Sequence, residues 1–189
     1  MWMKYDHVIR HAAGLGKAAD DHNDPDRYEK THAHCDVLVA GGGACGLMAA
    51  LQAGHSGARV IIADEQNEFG GWLLGEADIS IDGKPALDWI AKIRDELAGM
   101  PNVTMLPRTT VFGYMDSNYL TLNERVTDHL PERPAHLPRQ RLWKARTKQT
   151  VLAQGAHERP LVFAGNDLPG VMLAGAVRTY INRYAALPG

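Results

Sequence analysis

One six-residue stretch constrains this chain more than any other: Gly41-Gly42-Gly43-Ala44-Cys45-Gly46, set directly behind the apolar run 36–40 (DVLVA). A short apolar run of this kind reads as a strand buried on both faces of a parallel sheet, and residues 44–55 read as the helix that follows. A second apolar run, 58–64 (ARVIIAD), completes a strand–helix–strand unit of about 30 residues. Glycine-rich turns are common, so the G-x-G-x-x-G spacing gains its meaning from that setting. Gly41 permits the tight turn, Gly43 lets a pyrophosphate approach the main chain, and Gly46 lets the helix pack close to the strand. The phosphates then face the positive end of the helix. Asp64, 18 residues after Gly46, ends the second strand. There it can accept both hydroxyls of an adenosine ribose and repel a 2′-phosphate, which favours NAD or FAD over NADP.

Other residues join the candidate site by position. Cys45 falls in the first helical turn, where its N–H can reach the phosphates; its thiol either packs or has its reactivity raised by the helix start. Glu65 and Gln66 either border the adenine or form a solvated loop. Gly70-Gly71-Trp72 supplies a second glycine pair that lets main chain approach the ligand again.

Bulk properties narrow the function. Twenty Lys and Arg against 22 Asp and Glu leave a net charge of -2, without the basic excess that nucleic-acid binding draws on. Two cysteines, Cys35 and Cys45, form neither a disulfide framework nor a C-x-x-C pair. That argues against a thiol-disulfide reductase and fits a reducing cytoplasm. The first 16 residues carry Lys4, Asp6 and Arg10 and offer no secretory apolar region. The uncharged run 37–54 is interrupted by Gly41, Gly42 and Gly43 and reads as strand, turn and helix, not as a membrane span.

Along the chain, residues 1–15 suggest a short amphipathic packing arm, with Trp2, Tyr5, Ile9 and Ala12 at helical spacing and an end at Gly14 or Gly16. Residues 17–34 read as polar linker. The expected organisation is therefore an N-terminal helix and linker over 1–34 and a dinucleotide-binding domain over 35–189. Residues 85–97 place Ala86, Trp89, Ile90, Ile93 and Leu97 on one helical face. A strand is expected at 103–106, then a hairpin of 109–115 and 119–123 about Asp116, Ser117 and Asn118. Pro131, Pro134 and Pro138 mark a loop over 126–139. Residues 141–145 are expected to rejoin the hairpin sheet, 150–153 to form a further central strand, and 173–187 a last helix. The fold class is α/β, a Rossmann-like FAD/NAD(P)-binding domain with a parallel central sheet, helices and an antiparallel hairpin layer.

The stretches DVLVAGGGACGL, VIIADEQNEFGG, NVTMLPRTTVFGYMD, PRQRLWKAR and VLAQGAHERPLVFAGNDLPGVMLAGAVRTYINRY, with MWMKYDHVIRHAAGLG at the start, resemble the alpha subunit of heterotetrameric sarcosine oxidase over nearly the whole length. The resemblance implies an NAD held without covalent attachment. It further implies oxidation of the amine on flavin in a partner beta subunit, giving an imine, formaldehyde or methylenetetrahydrofolate, and hydrogen peroxide. Smaller gamma and delta subunits complete such a complex, and flavin and tetrahydrofolate sites belong to its other parts. Members of that family have a much longer alpha chain, so this chain is expected to be a truncated part of one, inactive alone and without a catalytic residue. Carried over by position, the NAD contacts fall on Cys45, Asp64, Glu65, Gln66, Trp72 and Val111; the glycines Gly41, Gly43, Gly46, Gly71 and Gly155 join the cofactor-binding set from the residues themselves. At Val111, strand main chain can meet an adenine edge. Three positions depart from the family pattern: Ala44 replaces a proline, Cys45 an alanine, and Gln154 part of an Ala-Thr-Gly strand end, where its amide would crowd or hydrogen-bond the pyrophosphate.

The run Gly155-Ala156-His157-Glu158-Arg159-Pro160 is also shared with flavin-binding alpha subunits of opine or proline dehydrogenases, which keeps FAD as the alternative cofactor. A noncatalytic module with a structural nucleotide is a further alternative. His32, His34 and Cys35 lack a second ligand cluster for a metal and read as linker. His157 to Pro160 reads as a structural turn, and Arg178 and Arg183 as a solvated helix face.

Overall fold

The computed structural model describes residues 5–14 and 23–188. Trp2, Gly16 and residues 17–22 of the expected arm and linker lie outside the described residues. A short helix, α1 (Asp6–Ala12), comes first. Tyr5, Val8 and Ile9 of this region are exposed. The chain then forms β1 (Tyr28–Ala40), α2 (Ala44–His55), β2 (Val60–Ala63), and a small hairpin of β3 (Ser80–Ile81) and β4 (Lys84–Pro85). It continues as α3 (Ala86–Ala98), β5 (Val103–Leu106), β6 (Thr109–Met115), β7 (Tyr119–Arg125), β8 (Gln140–Leu152) and α4 (Ala174–Tyr184).

Six strands form one sheet in the order β5-β2-β1-β8-β7-β6. The first four are mutually parallel, and β8, β7 and β6 are antiparallel. This is the α/β arrangement of parallel core and hairpin layer read from the sequence.

Two strands are longer than expected. β1 begins at Tyr28, inside the stretch assigned to linker, and pairs with β8 from Tyr28↔Gln140 to Ala40↔Leu152. Lys30, His32 and His34 are exposed while Thr31 and Ala33 are half-buried, so this half of the strand alternates polar-out and hides its pairing behind a hydrophilic composition. The pieces expected at 141–145 and 150–153 are one strand. Its first half lies between β1 and β7, and from Thr147 onward, among the described residues, only β1 pairs with it.

The loop over 126–139 is stitched to the segment before β1. Asp26 accepts hydrogen bonds from Arg133 and, at 2.8 Å, from Arg139, whose Nε donates to Asp128 at 2.6 Å.

Helices α2 and α3 cover one face of the sheet. The predicted α3 face is the buried one: Ala86, Trp89, Ile90, Ile93 and Leu97. They pack with Val39, Leu47, Ala50, Val60, Ile62 and Phe69. On the opposite side Leu38, Ile61, Leu106, Leu120 and Leu122 gather with Cys35 and Ala145. Side chains from β1 and β2 alternate between the two clusters, as the two-residue period of a strand requires. No helix among the described residues is long and apolar enough to cross a membrane.

Candidate functional site

The glycine loop joins β1 to α2 at the end of the parallel strands. Gly41 has φ +108°, a left-handed conformation that side chains disfavour. Its N–H donates to Ala63 O at 2.8 Å, and a Cβ on it would lie 2.2 Å from Ala153 O. A Cβ on Gly46 would lie 1.9 Å from Gly41 O. Both glycines are therefore required by the protein's own packing. Gly43 is different: a Cβ there would meet nothing closer than Gly71 Cα at 4.0 Å. Gly43 is also the N-cap of α2, and no side chain caps that end. The main-chain N–H groups of the first turn thus take no side-chain cap among the described residues, a setting suited to a pyrophosphate.

A second glycine segment backs the loop. Gly70 N–H donates to Gly42 O at 2.8 Å, and Gly43 and Gly70 form a parallel bridge. Gly71 opens a short 3-10 turn, Gly71–Gly75.

Asp64 has a role beyond the one expected from spacing. Its Oδ2 accepts the N–H of buried Gly42 at 2.5 Å and its Oδ1 accepts that of Gln66 at 2.8 Å. The carboxylate clasps the glycine loop to the end of β2 and retains acceptor capacity on both oxygens.

A cavity of about 690 Å³ adjoins these elements. Its size is that of an ordinary cofactor pocket. Of the residues singled out from sequence, Gly41, Asp64, Glu65, Gln66, Gly71, Trp72 and Val111 line it. Val111 sits on β6, whose outer edge has no strand partner among the described residues. Gln154 also lines the cavity, whereas exposed Gly155 and Cys45 do not. Gly43 and Gly46 lie outside the lining, in the loop beside it.

Sequence reasoning missed the contribution of α4. Gly75, Glu158, Thr179, Tyr180, Arg183 and Tyr184 also line the cavity. Glu158 Oε2 accepts the N–H of Gly175 at 2.8 Å, which ties the turn over 157–160 to the start of α4. Arg178 and Arg183 are not a solvated face. Arg178 pairs with Glu76 at 2.8 Å and lies 5.4 Å from the centre of the Trp72 ring. Arg183 pairs with Glu68 at 3.1 Å, and Asn182 donates to Gly75 O at 2.9 Å. The available signal was the helical spacing of Arg178, Asn182 and Arg183, which says nothing of the partner segment more than 100 residues earlier.

The perturbed titrations lie away from the cavity. Hydrogen bonds from Arg59, and then from Lys148, hold the Asp36 carboxyl well below the usual carboxylate range. Burial pushes the Cys35 thiol up. Among the described residues no three His, Cys, Asp or Glu gather as metal ligands.

The chain is 55% identical over 190 residues to the sarcosine oxidase subunit alpha of Rhizobium meliloti (strain 1021), which covers 100% of this chain and 19% of that protein. It is 48% identical over 178 residues to the sarcosine oxidase subunit alpha of Corynebacterium sp. (strain U-96), covering 94% of this chain and 18% of the relative. The chain thus spans about a fifth of the length of the curated relatives it matches. Among solved structures, L-proline dehydrogenase from P. horikoshii has the same fold, with a TM-score of 0.68 at 22% identity over 91% of this chain and 32% of that one. The resemblance read from the motifs is therefore borne out. A family model described as FAD dependent oxidoreductase matches residues 36–135, the stretch that runs from the strand before the glycine loop to beyond the hairpin, and the chain belongs to that family.

Proposed function

We propose that this chain holds an adenine dinucleotide, NAD, as part of a sarcosine oxidase-like alpha subunit that supports oxidative demethylation of sarcosine to glycine at a flavin in a partner subunit. The observation that carries the reading is the uncapped start of α2 at Gly43, where a Cβ would meet nothing closer than Gly71 Cα at 4.0 Å, beside a cavity lined by Asp64, Gln66, Gly71 and Val111. In this reading the pyrophosphate lies against Gly43 and the first-turn N–H groups of Cys45 and Gly46, with Gly41, Gly71 and Gly155 around it. Asp64 takes the ribose hydroxyls on its remaining lone pairs, Glu65 and Gln66 border the adenosine, and Trp72 flanks the far side. The main chain of Val111 takes the adenine edge. A bound nicotinamide or flavin supplies hydride chemistry, and the residues of this chain bind and orient it without a catalytic group of their own. The flavin-bearing beta subunit and the gamma and delta subunits belong to the same proposal, as does a cytoplasmic location.

A second reading, FAD in the same cavity, is favoured by the family model over 36–135. Denaturing the purified protein with its partners and identifying the released nucleotide by mass and absorbance separates the two. NAD supports the first reading and noncovalent FAD from this chain the second. Absence of any dinucleotide sinks both.

A further inference from the structure

The cavity poses an electrostatic problem that the glycine loop alone does not solve. Asp64, Glu65 and Glu158 line it, and a dinucleotide adds two phosphate charges. Asp64 is half-buried while Glu65 and Glu158 are exposed, so the repulsion falls chiefly between Asp64 and the phosphates, and a cation among the lining side chains offsets it. Arg183 is the only Arg or Lys among the lining residues described. Its side chain is only 16% exposed, and in this structure it donates to Glu68 at 3.1 Å and lies 3.5 Å from Asn67 Oδ1, on the loop that follows Asp64. Glu68 is 49% exposed at its side chain, so its own charge is largely served by solvent and it holds Arg183 weakly. A guanidinium presents several N–H donors and can serve a phosphate oxygen while keeping one carboxylate contact.

Resting on the dinucleotide reading above, we infer that Arg183 is a phosphate-binding residue of this site, neutralising the pyrophosphate from α4, which lines the same cavity as Gly41 of the glycine loop. Arg178 does not share this role, because it is absent from the lining and is engaged by Glu76 and the Trp72 ring.

The test is a titration series on the full protein with its partners, stripped of nucleotide, using ADP, the dinucleotide identified by release, and adenosine. Wild type is compared with R183M, R183K and E68Q. Loss of a charge-assisted phosphate contact lowers affinity for ADP and the dinucleotide about tenfold or more in R183M, with partial recovery in R183K. Adenosine affinity, which involves no phosphate, stays within about twofold and shows that the site is still folded. E68Q binds ADP as wild type does or more tightly. If R183M weakens adenosine and ADP by the same factor, or if E68Q reproduces the R183M loss, Arg183 acts only by holding the Asn67–Glu68 loop and the inference is overturned. Wild-type protein that binds neither ADP nor a dinucleotide overturns the parent reading, a result distinguishable from normal wild-type binding with an unaffected R183M.

Discussion

Gly43 and Gly46 stand three residues apart and answer to different constraints. A methyl group on Gly46 would strike the carbonyl of Gly41 at 1.9 Å, so Gly46→Ala is expected to destabilise the fold by about 1–3 kcal/mol or more. Gly43→Ala meets nothing closer than Gly71 Cα at 4.0 Å, an ordinary contact without overlap. It should leave the denaturation midpoint nearly unchanged while weakening nucleotide binding. Equal loss of stability in both variants would remove the argument that the space at Gly43 is kept for a ligand. Asp64 combines two duties, since it takes the N–H of buried Gly42. Asp64→Ala is therefore expected to cost about 1–3 kcal/mol in the nucleotide-free protein, read from chemical denaturation, as well as nucleotide affinity. A variant of unchanged nucleotide-free stability would return Asp64 to the ribose role alone. Spacing made Asp64 legible as a ribose ligand, but a hydrogen bond back to the loop depends on how β2 sits against β1, which no local pattern records.

At the scale of elements, strong periodicity translated faithfully: α2 matches its expected bounds and α3 its expected face. Elements with mixed composition did not. The polar run Arg146-Thr147-Lys148-Gln149 split β8 into two expected pieces, although pairing with β1 carries the strand through it. That junction also carries an electrostatic clasp, in which Asp36 of β1 receives Arg59 and Lys148. A carboxyl whose folded pKa is depressed stabilises the protein fully above its unfolded value and loses that contribution as pH falls toward the folded one. Asp36 behaves so because of Arg59 and Lys148, and Asp128 because of Arg139 and Gln140. The urea midpoint should therefore fall as pH drops below about 4, and Asp36→Asn should flatten that slope. An unchanged slope in Asp36→Asn would show that the clasp contributes nothing to folding.

For the molecule as a whole, the glycine loop, Asp64 and the hairpin sheet converge on one cavity because β1, β2 and β8 end side by side and α4 returns over them. The parallel core was readable because buried strands are continuous apolar runs. The return of α4 was not, because its partners Glu68, Gly75 and Glu76 lie more than 100 residues earlier in a stretch without periodic pattern. The most direct test of the central claim is a crystal structure of the protein grown with its nucleotide. The expected result is a pyrophosphate within about 3 Å of main-chain N–H groups at Gly43 and the first turn of α2, with the ribose on Asp64. Nucleotide bound at another surface, or a side chain or loop occupying the space at Gly43 in its place, would contradict it.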